Sequence, residues 1–394
     1  MRIAHVITRL ILGGAQENTV LCCEDLLREY GDDVLLVTGP PLGPEGSLMR
    51  RAEASGISVC LIDSLRREVN PWRDALAYRQ LKVALRDFRP HVVHTHSAKG
   101  GILGRAAGWS LGVPAVVHTI HGAPFHPYQT WAARAAIRAC ERWAARRCHA
   151  MISVADAMTD LMVEGNVAPR EKFTTILSGM EVEPYLDSQR HRERVRRELG
   201  YDPEHTVIVK VARLFHLKGH DYLVQAAEQV VRAVPAARFL LVGDGVLQDC
   251  IRRQIEAAGL ASYFQFTGLV PPERIPELLA AADIVVHASL REGLARVLPQ
   301  ALISAKPVVS FDVDGAREVV LTGQTGALVP PQDVAALAAA LGQLAAAPEQ
   351  RRRLGEEGRR RFADAFRHDH TTAEIRRLYR RLLDNAGSQF AQEE

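Results

Sequence analysis

The chain has 394 residues, more than one ordinary core holds, which implies about two domains. Apolar residues make up 47% and charged residues 24%, the balance of a folded globular protein, and a formal net charge of +3 is too mild for a nucleic-acid binder. No apolar run approaches the ~20 residues of a membrane span, and the first residues form a strand-like run cut by Arg9 and followed by Gly13-Gly14 rather than a signal peptide.

Short β-branched runs predict strands at 2–8, 33–38, 57–62, 91–95, 114–119, 149–153 and 172–176, with helices between most of them. Residues 128–148 read as an amphipathic helix. Arg134, Arg138, Arg142 and Arg146 form one band with Trp131 at its centre, and Ala132, Ala136, Ala139, Cys140 and Trp143 form the other face. The expectation is a core helix with a solvated basic face; the alternative is an interfacial surface for anionic lipid. A charged segment near 185–200 interrupts the alternation. Strands resume at 206–212, 238–243, 263–266, 283–287, 307–310 and 327–329, and a last amphipathic helix is expected at about 368–386, with 387–394 frayed. Basic clusters at 190–197 and 351–361 contain acids and read as polar helix faces.

Strands separated by helices of this length give an α/β fold, with parallel sheets covered on both faces. The expected organisation is two Rossmann-like, doubly wound parallel-sheet domains facing a cleft, at 1–185 and 200–365. A C-terminal helix and tail, 366–394, is expected to pack back towards the first domain. Six cysteines (Cys22, Cys23, Cys60, Cys140, Cys148, Cys250) lack Cys-x-x-Cys or zinc spacing and fit a reduced, cytoplasmic protein. Any membrane contact is expected to be peripheral, at the inner face.

In open parallel sheets ligands bind beyond the carboxyl ends of the strands, and two loops there carry chemistry. Arg213 and Lys218 follow the strand Val207–Val211. An Arg fork suits a phosphate bidentately and Lys serves as a mobile point charge, so the pair suits a diphosphate; alternatively they are ordinary surface cations. Glu292 lies in Arg291-Glu292-Gly293-Leu294-Ala295-Arg296, between a strand and a helix with Pro299 in its first turn. Amides of Leu294, Ala295 and Arg296 at that helix start suit an anion. Glu292 suits sugar hydroxyls or developing positive charge; alternatively it caps the helix.

Arg213-x4-Lys218 followed by Glu292-x7 to position 300 resembles the retaining nucleotide-sugar glycosyltransferases of group 1 (family 4), which have the GT-B fold. Further similar stretches run along nearly the whole chain: Ile3-Ala4-His5-Val6-Ile7 with Gly13-Gly14-Ala15-Gln16, the segment from His91 to Arg105, Val117-His118-Thr119-Ile120-His121-Gly122, Leu240-Leu241-Val242-Gly243-Asp244-Gly245, and Lys306-Pro307-Val308-Val309. The resemblance implies a metal-independent transfer, with retained configuration, from a nucleoside-diphosphate sugar to a hydroxyl of a sugar or lipid-linked sugar in cell-surface polysaccharide or glycolipid synthesis. It implies catalytic roles for Glu292, His121, Arg213 and Lys218. Donor contacts fall to Gly13, Gly14, Gly243, Gly268, Leu294, Ala295, Arg296 and Gln300 together with the two cations, and acceptor-side roles to Ser97, Lys99 and Tyr128. No cofactor is implied beyond the nucleotide sugar as co-substrate, and no metal.

Two positions depart from the pattern. Gln300 replaces the second glutamate of Glu-x7-Glu, and Leu294-Ala295 replaces Phe-Gly. Gln300 accepts with its carbonyl and donates with its amide, so a ribose diol is still met. Asp312-Val313-Asp314 spells a metal-binding Asp-x-Asp, but the loop it opens, Gly315-Ala316-Arg317-Glu318-Val319, resembles the metal-free family, with Glu318 capping or bracing the nucleotide site. His94, His96 and His118 are expected to be too scattered for a metal site, and to be structural or to line the acceptor side. A nucleotide-sugar epimerase of the same architecture and a non-catalytic nucleotide-sugar binder are the alternative functions.

Overall fold

All thirteen expected strands form. The computed structural model describes residues 1–42 and 46–390, and the chain divides into two units, Met1–Met180 with Phe366–Glu394, and Glu181–Ala365. The first unit contains β1 (Arg2–Arg9), β2 (Asp33–Gly39), β3 (Ser58–Leu61), β4 (Val92–His96), β5 (Ala115–Ile120), β6 (Ala150–Ser153) and β7 (Phe173–Thr175), in the order β3-β2-β1-β4-β5-β6-β7. The second contains β8 (Thr206–Val211), β9 (Ala237–Val242), β10 (Phe264–Gly268), β11 (Ile284–His287), β12 (Val308–Phe311) and β13 (Gly326–Val329), in the order β10-β9-β8-β11-β12-β13.

Within these strands the named pairings are parallel. Near-continuous apolar runs such as Val207-Ile208-Val209 are what a strand needs when helices cover both faces. Each order reverses once, between β1 and β4 and between β8 and β11. At such a point adjacent loops leave in opposite directions and open a crevice at the strand ends.

The glycines of the helix Ala98–Ser110 explain how it sits on the first sheet. A Cβ at Gly100 would lie 2.8 Å from Thr8 N, one at Gly104 2.7 Å from Thr95 Cγ2, and one at Gly108 3.3 Å from Val93. The stripe lets helix backbone press on β1 and β4.

The helix His368–Phe390 belongs to the first unit. Tyr379, Ile375 and Leu378 are buried in its core. Arg376 Nε donates to Asp32 at 2.7 Å, and Asp25 accepts from Thr372 Oγ1 at 2.7 Å. The helix continues to Phe390, so the fraying expected from 387 does not begin there; 391–394 lie outside the described residues.

Two other expectations are corrected. The helix at 128–148 runs Trp131–Ala145, and the face expected to be buried is not: Glu141, Ala144 and Ala145 are buried, whereas Ala132, Ala136, Ala139, Cys140 and Trp143 are exposed, as are Trp131, Arg142 and Arg146 of the basic band. The reason is charge pairing inside the unit. Arg105, itself fully buried, donates to Glu141 at 2.7 Å, which draws the acidic side inward. Two arginines of the basic band, Arg138 and Arg142, donate to Gly165 O at 3.0 Å and Asn166 O at 2.7 Å. They thereby satisfy carbonyls just past the helix Asp156–Glu164, which end that helix without intrahelical partners. The cluster at 190–197 is likewise more than a polar face: Arg192 and Arg196 reach Asp283 at 2.6 and 3.1 Å, and Asp283 also accepts from Val207 N at 2.8 Å, tying the start of β8 to that of β11.

Candidate active site

In the second unit, the loops after β8 and β11 flank the switch point of the sheet. Backbone joins them directly: Leu290 N donates to Leu217 O at 2.8 Å. Gly219, at φ 63°, makes the approach possible, since a Cβ there would stand 1.8 Å from Ala288 O. The loop after β12 is tied in as well, with Gly315 N donating to Gly293 O at 2.9 Å and Glu292 N to Asp314 Oδ2 at 2.6 Å.

The side chains on this scaffold carry charge. Lys218 Nζ forms an ion pair with Glu292 Oε1, although the two residues lie far apart in sequence. His287 Nε2, on β11, stands 3.6 Å from the same oxygen. Burial opposes the charge on Glu292, but the nearby His287 ring and the charge of Lys218 outweigh it and hold the carboxyl at about 2. Burial lowers His287 below its ordinary value, leaving it a neutral ring at pH 7. Arg213 stands in the same loop as Lys218, its guanidinium 5.1 Å from the centroid of Phe215, and its carbonyl accepts from His220 Nε2 at 3.0 Å.

Beneath them is Lys210, the penultimate residue of β8 and 1% exposed, whose Nζ has no hydrogen-bond partner among the described residues. Burial, then the charge of Lys218, lowers it to about 7. In the sequence Lys210 and His287 read only as strand residues. A lysine within an otherwise apolar buried strand was the available signal, because an ammonium is costly to bury without a function or a partner.

The remaining donor-side residues surround this group. Gly243, at φ 135°, packs on the Arg213 loop, with a Cβ position only 2.2 Å from Ala212 O, and donates to Gly268 O at 3.1 Å. Leu294, Ala295 and Arg296 form the turn into the helix Val297–Ile303, on which Gln300 is half-buried. The Asp-x-Asp carboxylates have other uses: Asp312 accepts from Arg317 Nε at 3.1 Å, and Asp314 holds the Glu292 amide.

In the first unit, Gly13 and Gly14 precede and open the helix Gly14–Arg28. Gly13 has φ 177°, an extended conformation open to any residue, and only the Gln16 side chain lies where its Cβ would be. The fold therefore does not itself demand glycine at 13. Ser97 starts the helix after β4, its hydroxyl 2.7 Å from Thr8 Oγ1. Lys99 pairs with Asp74 at 2.6 Å, and Tyr128 is exposed in the loop after β5. His121 lines a cavity of about 170 Å³ with Ser97, Gly122 and Pro124. A larger cavity of about 670 Å³ lies nearby in the same unit. Val69, Ile102, Leu103 and Ile137 are among its walls, with Arg9 and Arg67 also lining it.

Of the three histidines expected to be scattered, His94 and His96 gather with His5, while His118 bonds Thr95 Oγ1 at 2.9 Å. His5 pairs in register with His94, and His96 follows on the same face of β4, so one nitrogen from each of the three rings falls within 4.8 Å of the others. Sequence spacing hid this because β1 and β4 become neighbours only at the switch point. The nitrogens of His94 and His96 are engaged: His94 with Tyr379 at 2.5 Å and Thr119 at 2.7 Å, His96 with His5 at 3.0 Å and His121 at 3.1 Å. The cluster is a hydrogen-bonded one.

Two family models match the chain: the group 1 glycosyl transferases over residues 191–361, and the glycosyl transferase 4-like domain over 14–179. The UDP-Gal:alpha-D-GlcNAc-diphosphoundecaprenol alpha-1,3-galactosyltransferase of Escherichia coli is 26% identical over 337 residues, covering 85% of each chain. The 2-deoxystreptamine N-acetyl-D-glucosaminyltransferase of Streptomyces fradiae is 30% identical over 280 residues, covering 68% of this chain and 66% of its own. Among solved structures, HepE of Anabaena in complex with UDP superposes with a TM-score of 0.80 at 22% identity, covering 96% of this chain and 99% of its own.

Proposed function

This chain belongs to the group 1 glycosyltransferases and has their GT-B fold, and from that premise we propose that it moves a sugar from a nucleoside-diphosphate sugar to a hydroxyl of a lipid-linked sugar, with retained configuration and without a metal. The observation that carries the reading is the meeting of Lys218 and Glu292 at the β8/β11 switch point. Without donor, Lys218 is neutralised by Glu292. A diphosphate offers Lys218 more negative charge than one carboxylate does, so donor binding draws the lysine to phosphate and leaves Glu292 to face the sugar. As the bond to the leaving oxygen breaks, negative charge grows there and Arg213 and Lys218 stabilise it, while positive charge on the sugar ring is met by Glu292. Asp312 and Asp314 are engaged with Arg317 and the Glu292 amide, which favours cation side chains over a metal as the partner of the diphosphate.

The lipid-linked acceptor is supported by the cavity between apolar walls in the first unit and by its surroundings. Val69 is 87% exposed at its rim, and Trp72, in the adjacent helix Pro71–Phe88, is 88% exposed. Arg9 and Arg67 supply charge suited to an acceptor phosphate, and such a surface suits peripheral contact with an anionic membrane. No helix among the described residues is long and apolar enough to cross one. A uridine-diphosphate sugar is the first donor to test, because the Anabaena neighbour holds UDP and the Escherichia coli relative is named for UDP-Gal.

The test is incubation of the protein with UDP-sugars, alone and with a polyprenyl-diphosphate-linked N-acetylhexosamine, with and without EDTA. UDP release that needs the acceptor, survives EDTA and gives a product with the donor's anomeric configuration is expected. Isomerisation of the donor sugar in the absence of acceptor would establish an epimerase instead.

A further inference from the structure

Three of the histidines form a continuous chain from the core of the first unit to the cavity at His121. His5 Nδ1 lies 3.0 Å from His96 Nε2, and His96 Nδ1 lies 3.1 Å from His121 Nε2. The first two rings are buried, and His5 and His96 are stacked 5.3 Å apart at 8°.

A neutral imidazole has one N–H and one lone pair. Burial lowers both His5 and His96, His5 to about 3, so neither is charged at pH 7. His96, bonded at both nitrogens, must therefore donate on one side and accept on the other. Because every link joins the Nδ1 of one ring to the Nε2 of the next, a neutral His121 leaves two proton arrangements that satisfy both bonds: all three rings protonated at Nδ1, or all three at Nε2.

The far end of the chain selects between them. His5 Nε2 is buried and has no hydrogen-bond partner among the described residues. With the protons at Nε2, the chain would strand an N–H donor in the core; with the protons at Nδ1, it leaves only a bare lone pair there. Orphaned buried donors are the rarer and costlier case.

We propose that His5 and His96 are positioning residues that hold His121 in its Nδ1–H tautomer, with Nε2 committed to His96. His121 then meets its ligand as a hydrogen-bond donor rather than as a base, so its partner is an oxygen that accepts, such as a sugar hydroxyl or a phosphate oxygen. That ligand role rests on the transferase reading; the tautomer does not. Neither His5 nor His96 touches substrate in this scheme. Their effect passes through the ring of His121.

The experiment is imidazole ¹⁵N NMR of the full-length protein at pH 7.5, with His121 assigned by its loss in His121→Phe. Wild-type His121 is expected to show a protonated Nδ1 and a bare, hydrogen-bonded Nε2. His96→Phe removes the donor to Nε2, and His121 is expected to move towards the Nε2–H form that unconstrained neutral histidine prefers. His96→Asn places an amide N–H close to where the ring Nδ1–H stood, and is expected to restore the wild-type signature. Turnover is expected to fall at least tenfold in His96→Phe with the donor KM within threefold of wild type, and to recover at least partly in His96→Asn.

A wild-type His121 protonated at Nε2 overturns the proposal, as does an unchanged His121 spectrum in His96→Phe. Should His96→Phe not fold, the wild-type and His96→Asn spectra still decide it. Because the NMR readout needs no substrate, an Nδ1–H signature in a protein without transferase activity would sink the functional reading alone.

Discussion

Lowering the pH from 7 to 5 should destabilise the first unit, and its buried histidines set the size of the effect. His5, His94, His96 and His118 are all buried, and desolvation lowers each of them, His5 to about 3. In the unfolded chain each returns to its ordinary value near 6.5. Between those limits the unfolded state binds protons that the folded state refuses, so stability is highest above about pH 6.5 and falls as the pH drops. For His5 alone the loss at pH 5 is about 2 kcal/mol, from ~1.4 kcal/mol per pH unit. The other three shift in the same direction, and each adds at most about the same slope. That bounds the four together at about 8 kcal/mol, within the range of a domain's whole stability, about 5–15 kcal/mol. Carboxylates with lowered values lose their charge only below about pH 4.5, so this window isolates the histidines. All four tryptophans (Trp72, Trp109, Trp131 and Trp143) lie in the first unit, so urea unfolding followed by tryptophan fluorescence reports on that unit. His5→Phe is expected to cost about 1 kcal/mol at pH 7 through the lost hydrogen bond to His96, and to flatten the pH dependence by about 1.4 kcal/mol per unit. An unfolding free energy level between pH 7 and 5.5, or an unchanged slope in His5→Phe, would refute the reasoning.

Three further outcomes follow from the geometry. Arg213→Ala and Lys218→Ala should each lower turnover by ~10²–10³, as expected for lost transition-state charge stabilisation, whereas Gln300→Glu should stay within about tenfold of wild type; steady-state kinetics with equal effects in all three would sink the assigned roles. Glu141→Ala leaves Arg105 as a buried unpaired cation and should cost about 3–5 kcal/mol in chemical unfolding, while Arg105→Met with Glu141→Leu should recover much of that loss. Replacing both Arg138 and Arg142 by Ala should destabilise the first unit by about 1–3 kcal/mol through the two lost charge-assisted hydrogen bonds to carbonyls, measured by the same fluorescence assay.

The sequence alone determined the alternation of strands and helices, the parallel doubly wound class and the loops that bear Arg213, Lys218 and Glu292. These are local properties: a strand covered on both faces reads as an unbroken apolar run such as Val207-Ile208-Val209, and a ligand loop must follow a strand end. Only the tertiary structure decided which distant residues meet. Strand order, not sequence distance, brought β11 beside β8 and so placed Lys218 on Glu292, with His287 near it and Lys210 beneath. The same kind of reversal set β1 beside β4 and so brought His5 onto His94 and His96. The buried face of the helix Trp131–Ala145 differs from the expected one for a related reason. Periodicity divides apolar from charged residues, but a buried carboxylate finds its place from its partner, and Arg105 lies on another helix.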